Sequence, residues 1–297
     1  MADMVVSQFR ADRGRFRQRQ FFSYLGWALS TLAFLLLGSA MVWILATVFL
    51  RGFDALSLTV FTHVTEGTGG GLLNAIEGTF VLAFGGILLA IPPGLAAGIY
   101  IAEFDHGRLA STIRFLADVL VGVPSIVIGY FGYITMVVGL GWKFSVAAGS
   151  IALAIISLPY ICRTSEIALR QVPRAVREAA YALGAGDGTV TMRICVPMAL
   201  PGILTGVLLS LAISVGETAP LLYTAGWSNY LWNGHLTNAP IGYLTYAIWA
   251  FINEPFASAN ALAYAAALFV TLFVLAINVI SRLVLDENAG WRRRARR

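Results

Sequence analysis

Four ionisable residues lie inside strongly apolar segments of the chain, where a charge is costly: Asp118, Arg163, Glu166 and Glu217. Such residues usually pair with one another or serve a function. Arg163 and Glu166 are three residues apart, and Arg114 and Asp118 are four apart, so each pair can meet on one face of a helix. The alternative for Arg163 is an anion contact in a gate, because a guanidinium group binds an oxyanion through two parallel hydrogen bonds.

Other kinds of chemistry lack the residues that they need. The three histidines lie far apart in the sequence, and neither a CxxC nor an HExxH pattern occurs. The glycine-rich stretch GAGDGTVT (184–191) contains no lysine and follows no predicted strand, so it is not a P-loop. We therefore expect no metal, no cofactor and no nucleotide site in this chain, and no enzymatic activity.

Six apolar segments are long enough to cross a membrane as helices. Hydrophobic residues make up 58% of the chain and charged residues only 12%, whereas soluble domains carry about 25% charged residues. Because about 20 apolar residues span the hydrocarbon core, the sequence predicts an all-α integral membrane protein with six transmembrane helices. The predicted spans are 24–50, 77–101, 112–139, 145–170, 200–224 and 258–284.

The basic residues are distributed unevenly between the two sides of these spans. Of the 20 lysines and arginines, 18 fall on one side, and only Arg51 and Lys143 fall on the other. Positive charge concentrates on the cytoplasmic side, so both termini are predicted to be cytoplasmic. The arginines then meet anionic lipid headgroups and do not indicate nucleic acid.

The chain is predicted to consist of five parts. They are a cytoplasmic basic tail (1–23), the first transmembrane helix (24–50), an extracytoplasmic loop (51–71), a core of five transmembrane helices (72–284) and a second cytoplasmic basic tail (285–297).

The cytoplasmic loop between the fourth and fifth spans predicts a helix, a glycine turn and a second short helix. Pro173 suits the start of the first helix, and Gly184 or Gly186 suits its end. Asp187 or Thr189 would cap the second helix, and Pro197 would end it. The residues on the predicted apolar face of the first helix are Val172, Val176, Ala179, Ala180 and Leu183. From this pattern alone, the loop is either a docking element or an amphipathic segment that rests on lipid.

Within this loop (171–200), six residues match the EAA motif at its spacing, EAA-x3-G-x9-I-x-L-P, with Val196 in place of the leucine. The matching residues are Glu178, Ala179, Ala180, Gly184, Ile194 and Pro197. The chain therefore resembles the permeases of ABC importers, whose EAA loop inserts into a cytoplasmic ATPase. The resemblance implies the type I ABC importer permease fold, an ATPase-coupling role for these six residues, and ATP and Mg²⁺ bound in the partner ATPase.

Four further stretches resemble the permeases of the phosphate-specific ABC importer, of the PstA type. They are AIPPGLAAGIYIAEF (90–104), LVGVPSIVIGYFGY (120–133), SLPYICRTSEIAL (157–169) and ISVGETAPLLYTAG (213–226). This resemblance implies translocation of inorganic phosphate, with a second homologous permease (PstC type), a cytoplasmic ATPase dimer (PstB type) and an external phosphate-binding protein (PstS type) as partners. A permease for another oxyanion, sulfate or molybdate, is the alternative. A channel or a secondary transporter would not explain the EAA loop, and a membrane-embedded enzyme would need a catalytic constellation that the sequence lacks.

Glu217 differs from the other buried charges, because no lysine or arginine is predicted at its depth, about 25 Å from the cytoplasmic end of its span. A bare carboxylate repels an anionic substrate, so we expect Glu217 to act in gating or at a subunit interface. Its partner would be a cation of another subunit, a helix N-terminus freed near Pro220, or a proton.

The aromatic residues of segment 226–257 form either an interfacial belt or a docking surface for an external protein.

Overall fold

The computed structural model describes residues 2–104 and 107–294, with side chains described for 19–104 and 107–283. The described chain is almost entirely helical and divides into two compact units, 1–51 and 52–297. In chain order, the elements are α1 (Ala2–Ala55), α2 (Leu58–Thr62), β1 (Thr65–Glu66), β2 (Gly69–Gly70), α3 (Leu73–Glu103), α4 (Arg108–Gly122), α5 (Ser125–Gly132) with a π-helical turn (Tyr133–Gly139), α6 (Val146–Arg170), α7 (Arg174–Ala182), α8 (Asp187–Val190) with a π-helical turn (Thr191–Cys195), α9 (Val196–Gly216), α10 (Ala219–Thr224), α11 (Leu244–Phe251) and α12 (Ala257–Arg294).

The first unit consists of one helix. The apolar part of α1, Arg19–Ala55, is 37 residues long, which exceeds the roughly 20 residues needed to cross a bilayer. The side chains of residues 19–46 are all exposed, as expected for a helix surrounded by lipid. The predicted N-terminal tail, 1–23, is helical from Ala2 onward, and the side chains of residues 1–18 lie outside the described part. The last residues of the predicted C-terminal tail, 295–297, also lie outside the described part.

The second unit is a bundle in which α6 is the central helix. α6 packs along α3, α9 and α4, and α12 packs against α9. Small residues permit the close approach of α3 and α6: a Cβ atom at Gly98 would lie 2.7 Å from the Cys162 carbonyl oxygen, and one at Gly86 would lie 2.8 Å from Leu153 Cβ. Without a hydrophobic driving force between helices in lipid, such close packing is what holds them together.

The third predicted span, 112–139, is not a single straight helix. Helices α4 and α5 meet at 97°, and the break falls at Val123 and Pro124, which have extended backbone conformations. Proline lacks a backbone N–H and disfavours helical geometry at the residue before it. With this bent pair counted as one span, the described residues contain six helical spans.

The fifth predicted span, 200–224, begins earlier and ends earlier than the sequence indicates. The helix starts at Asp187 and continues through the π-helical turn and α9 to Gly216. Pro197 therefore does not end a short helix, as predicted, but lies in the first turn of α9. The π-helical turn directly before it changes the hydrogen-bond register, which accommodates a residue without a backbone N–H. Helix α10 is separate from α9.

The end of the bundle opposite to α7 carries a cap of loops that are tied together by buried polar residues. Asn74 is 1% exposed; its side-chain oxygen accepts hydrogen bonds from Thr65, and its amide donates to the Ser228 carbonyl at 2.8 Å. Trp227 stacks on Tyr246 with 4.7 Å between the ring centroids. Part of the aromatic set predicted for a belt or docking surface is therefore packed inside this cap. Tyr230 and Trp249 remain exposed.

Candidate coupling and gating sites

The glycine turn of the EAA loop is a Schellman motif that ends α7. The Gly184 N–H donates to the Tyr181 carbonyl at 2.9 Å, and the Ala185 N–H donates to the Ala180 carbonyl at 3.1 Å. Gly184 has φ +82°, a left-handed conformation that glycine adopts without strain. Among the described residues beyond its chain neighbours, no atom lies within 4 Å of a Cβ built at Gly184, so the turn needs this glycine for its backbone conformation and not for space.

A side-chain hydrogen bond from Tyr181 to Asp187 also bridges this turn. Desolvation first, and this hydrogen bond second, raise the pKa of the Tyr181 phenol above its ordinary value. The phenol donates to the carboxylate of Asp187, at the start of α8. This contact joins α7 to the helix that continues into the fifth span.

The EAA motif residues divide into a buried group and an exposed group. Ala180 is buried and Ile194 is half-buried, and both pack in an apolar cluster between the ends of α3, α6 and α9. Glu178, Ala179, Gly184 and Pro197 are exposed. Leu183, which the sequence placed on the inner apolar face with Ala179, is instead 89% exposed, because α7 ends at Ala182 and the chain turns away there. The exposed group forms an outward surface at this end of the bundle.

Arg177, on the inner side of α7, connects this helix to two spans. Its Nη1 forms an ion pair with the Glu103 carboxylate, at the last residue of α3. Its Nη2 donates to the Leu169 carbonyl of α6 at 2.8 Å. Sequence spacing identified no partner for Arg177. The acidic residue that ends an apolar span in IAEF (101–104) is the signal that could have indicated one.

The charges predicted on the third and fourth spans form a network between α4 and α6. Arg163 binds Asp118 with both Nε and Nη2, at distances between 2.8 and 3.1 Å, and its Nη1 donates to Glu166 at 2.9 Å. The i,i+3 pair of Arg163 with Glu166 is therefore present. Arg114 and Asp118, however, pair across the helices and not with each other: Asp118 bonds to Arg163, and Arg114 Nε donates to Glu166 at 3.0 Å.

Glu166 is the centre of this network. Its side chain is only 6% exposed and contacts Arg114, Arg163 and Arg170 at 2.9–3.1 Å. Arg170 also donates to the Ile101 carbonyl at 3.3 Å, which ties the ends of α3 and α6 together. Because all three donor nitrogens of Arg163 are occupied, this arrangement holds α4 against α6 and does not present a free guanidinium group for an anion.

Glu217 lies at the break between α9 and α10. It is the C-terminal cap of α9 with extended backbone angles (φ −73°, ψ 134°), and its carbonyl accepts a hydrogen bond from the Thr245 hydroxyl at 2.7 Å. Its carboxylate faces Ser125, at the first turn of α5. Nearby, a Cβ at Gly129 would lie 2.5 Å from the Pro220 Cα. The breaks of the third and fifth spans therefore lie side by side, with Glu217 between them.

The sequence of this chain matches a protein family and several of its known members. The family described as binding-protein-dependent transport system inner membrane component matches residues 94–286. The phosphate transport system permease protein PstA 2 of Mycobacterium bovis is 45% identical over 267 residues, covering 90% of this chain and 89% of that protein. The phosphate transport system permease protein PstA of Haemophilus influenzae is 44% identical over 249 residues, covering 82% of this chain and 87% of that protein.

Among solved structures, a chain of the MetNI methionine ABC transporter aligns with a TM-score of 0.54 at 21% sequence identity. The alignment covers 77% of this chain and 99% of that chain. At this identity, the likeness shows a shared fold, the type I ABC importer permease fold. On the family match and on relatives of more than 40% identity along most of its length, the chain belongs to the binding-protein-dependent transport system inner membrane components, and within them to the PstA permeases.

Proposed function

We propose that this chain is the permease subunit of an ATP-driven ABC importer that translocates inorganic phosphate across the bacterial plasma membrane. The observation that carries the proposal is its 45% identity, over 90% of the chain, to a permease named for phosphate transport. Relatives of similar identity carry the same substrate in their names, which favours phosphate over sulfate or molybdate. The chain forms part of the membrane pathway and is not an enzyme.

The partners of this permease follow from its family and from its exposed surfaces. A cytoplasmic ATPase dimer (PstB type) hydrolyses ATP with Mg²⁺ and docks on the exposed group of the EAA loop, of which Glu178, Ala179 and Gly184 are members. A second homologous permease (PstC type) completes the pathway. An external phosphate-binding protein (PstS type) delivers the substrate to the opposite end of the bundle, where Tyr230 and Trp249 are exposed.

The orientation in the membrane follows from the charge distribution. With 18 of 20 basic residues on one side, both termini and the EAA loop lie in the cytoplasm, which is where ATP is available. The loop 51–71 and the aromatic cap then face outward. This orientation places the coupling surface and the binding-protein surface at opposite ends of the same bundle.

The charged residues within the spans act as gates in this proposal, and none is a permanent phosphate ligand. Arg163 is held by Asp118 and Glu166, so it contacts phosphate only if the α4–α6 network opens. Glu217 lies where two broken spans meet, and a carboxylate there repels phosphate. We propose that both places change when the transporter alternates access, because broken helices and their freed backbone groups permit such rearrangement.

The test is uptake of radiolabelled phosphate by proteoliposomes that contain the complete complex, with ATP on the ATPase side. We expect ATP-dependent uptake that excess unlabelled phosphate abolishes and that equal concentrations of sulfate or molybdate leave unchanged. Equal competition by sulfate would contradict phosphate as the substrate. The absence of any ATP-dependent uptake by the intact complex would contradict the importer itself.

A further inference from the structure

Helix α7 has little apolar contact with the helices that it must influence. Among its nine residues, Ala180 alone is buried, and its side chain is a single methyl group. One buried methyl group removes little apolar surface from water, which is weak attachment for an element that transmits force. The polar contacts of Arg177 are therefore the main tie between α7 and the spans.

The ion pair between Arg177 and Glu103 lies inside the protein. The Glu103 side chain is 6% exposed and that of Arg177 is 20% exposed. The second carboxylate oxygen of Glu103, Oε1, is buried and has no hydrogen-bond partner among the described residues. A buried carboxylate in this position depends strongly on Arg177, because removing either partner leaves an uncompensated charge.

The same arginine contacts two spans at their ends. Glu103 is the last residue of α3, and the Leu169 carbonyl lies in the last turn of α6. A displacement of α7 is therefore transmitted to both helices through one side chain. Because α6 carries Arg163, Glu166 and Arg170, movement of its end also acts on the network that holds α4.

We propose that Arg177 is a positioning residue whose ion pair with Glu103, and hydrogen bond to Leu169, transmit the movement of the ATPase from the EAA loop to α3 and α6. This inference rests on the proposed function, in which the exposed face of α7 docks on the ATPase. It assigns docking and transmission to opposite faces of one short helix. Loss of Arg177 then leaves the ATPase bound but separates ATP hydrolysis from transport.

The experiment compares Arg177→Gln, Glu103→Gln and the double variant with wild type, in the complete complex in proteoliposomes. The measured quantities are the amount of ATPase that copurifies, the ATPase rate stimulated by loaded binding protein, and phosphate uptake per ATP hydrolysed. Arg177→Gln retains a side-chain amide for the Leu169 carbonyl and removes the charge. We expect each single variant to retain the ATPase and to lose at least tenfold in phosphate uptake per ATP hydrolysed.

The double variant and a matched control separate transmission from a general structural defect. Since the pair acts as a unit, the double variant should lose no more than either single one. Arg282→Gln replaces an exposed arginine at the same end of the bundle, on α12, and should change uptake less than twofold. Arg177→Lys keeps the positive charge but offers a single nitrogen for the contacts with Glu103 and the Leu169 carbonyl. This variant should therefore retain more phosphate uptake than Arg177→Gln and less than wild type.

Two results would overturn the proposal. One is loss of the ATPase from the purified Arg177→Gln complex, which would make Arg177 a docking or folding residue. The other is wild-type uptake per ATP in both single variants. The proposed function fails separately, because the results that would contradict it, absent ATP-dependent uptake or equal competition by sulfate, are measured on the wild-type complex.

Discussion

Replacing Glu166 with glutamine should destabilise the protein much more than replacing Asp118 with asparagine. Both are carboxylates of the α4–α6 network, but Glu166 is 6% exposed and binds three arginines, whereas Asp118 is 56% exposed and binds one. Removing one partner from a buried charge network costs about 3–5 kcal/mol. An exposed ion pair contributes only about 0.2–1 kcal/mol.

The exposure of the three arginines determines how much stability Glu166→Gln loses within the range of about 3–5 kcal/mol for a buried charge network. Their side chains are 27%, 36% and 45% exposed, so water can compensate part of their charge when Glu166 is neutral. We therefore expect a loss of about 3 kcal/mol for Glu166→Gln, the lower end for a buried pair. For Asp118→Asn we expect about 0.5–1 kcal/mol, because Arg163 keeps its contact with Glu166.

Thermal unfolding of the purified protein in detergent measures this difference. At about 2–4 °C per kcal/mol for chains of this size class, Glu166→Gln should lower the Tm by roughly 6–12 °C and Asp118→Asn by at most about 4 °C. High salt should reduce the effect of Asp118→Asn, since exposed pairs are screened, and change that of Glu166→Gln little. Equal shifts for the two variants would refute the assignment of Glu166 as the centre of the network.

Four further predictions concern the turn, the helix contacts, the gate and the orientation. Gly184→Leu should leave membrane insertion intact but reduce ATPase copurification and phosphate uptake. The backbone angle φ +82° costs a non-glycine residue about 1–2 kcal/mol, and the new side chain projects from the docking surface. Normal uptake by this variant would contradict the prediction. Gly206→Ala should lower the Tm, because the new Cβ would lie 1.9 Å from Thr164 Oγ1. Gly216→Ala should leave the Tm unchanged, because no atom of the described residues lies within 4 Å of a Cβ at that position. A common response of the two variants would argue against close α6–α9 packing. Glu217→Gln should lower uptake or separate it from ATP hydrolysis while the binding protein still docks, and three unchanged readouts would make Glu217 a bystander. A cysteine placed in 226–257 should react with an impermeant reagent from outside and one placed in 286–297 should not; the reverse pattern would overturn the orientation.

Much of the helical architecture could be predicted from the sequence, because the free energy of placing a segment in lipid depends mainly on its own composition. Apolar length was enough to predict an all-α protein with six spans. The first helix and the glycine turn of the EAA loop could also be predicted, because their residues act within a few positions of one another. Hydropathy could not reveal the bend at Pro124 or the continuation of the fifth span through Pro197. Both depend on how freed backbone groups are satisfied in three dimensions.

Sequence spacing was enough to predict the pair of Arg163 with Glu166, whereas the partners of Arg114, Asp118 and Arg177 were decided by the tertiary structure. Sequence spacing favoured an i,i+4 pair of Arg114 with Asp118, yet the packing of α4 against α6 directs both side chains to the neighbouring helix. The partner of Arg177 is 74 residues away, at the end of α3. A sequence determines which segments are helical through local free energies. Which charges meet is determined by how closely the helices pack, and here that depends on small residues that bring α3, α6 and α9 into contact.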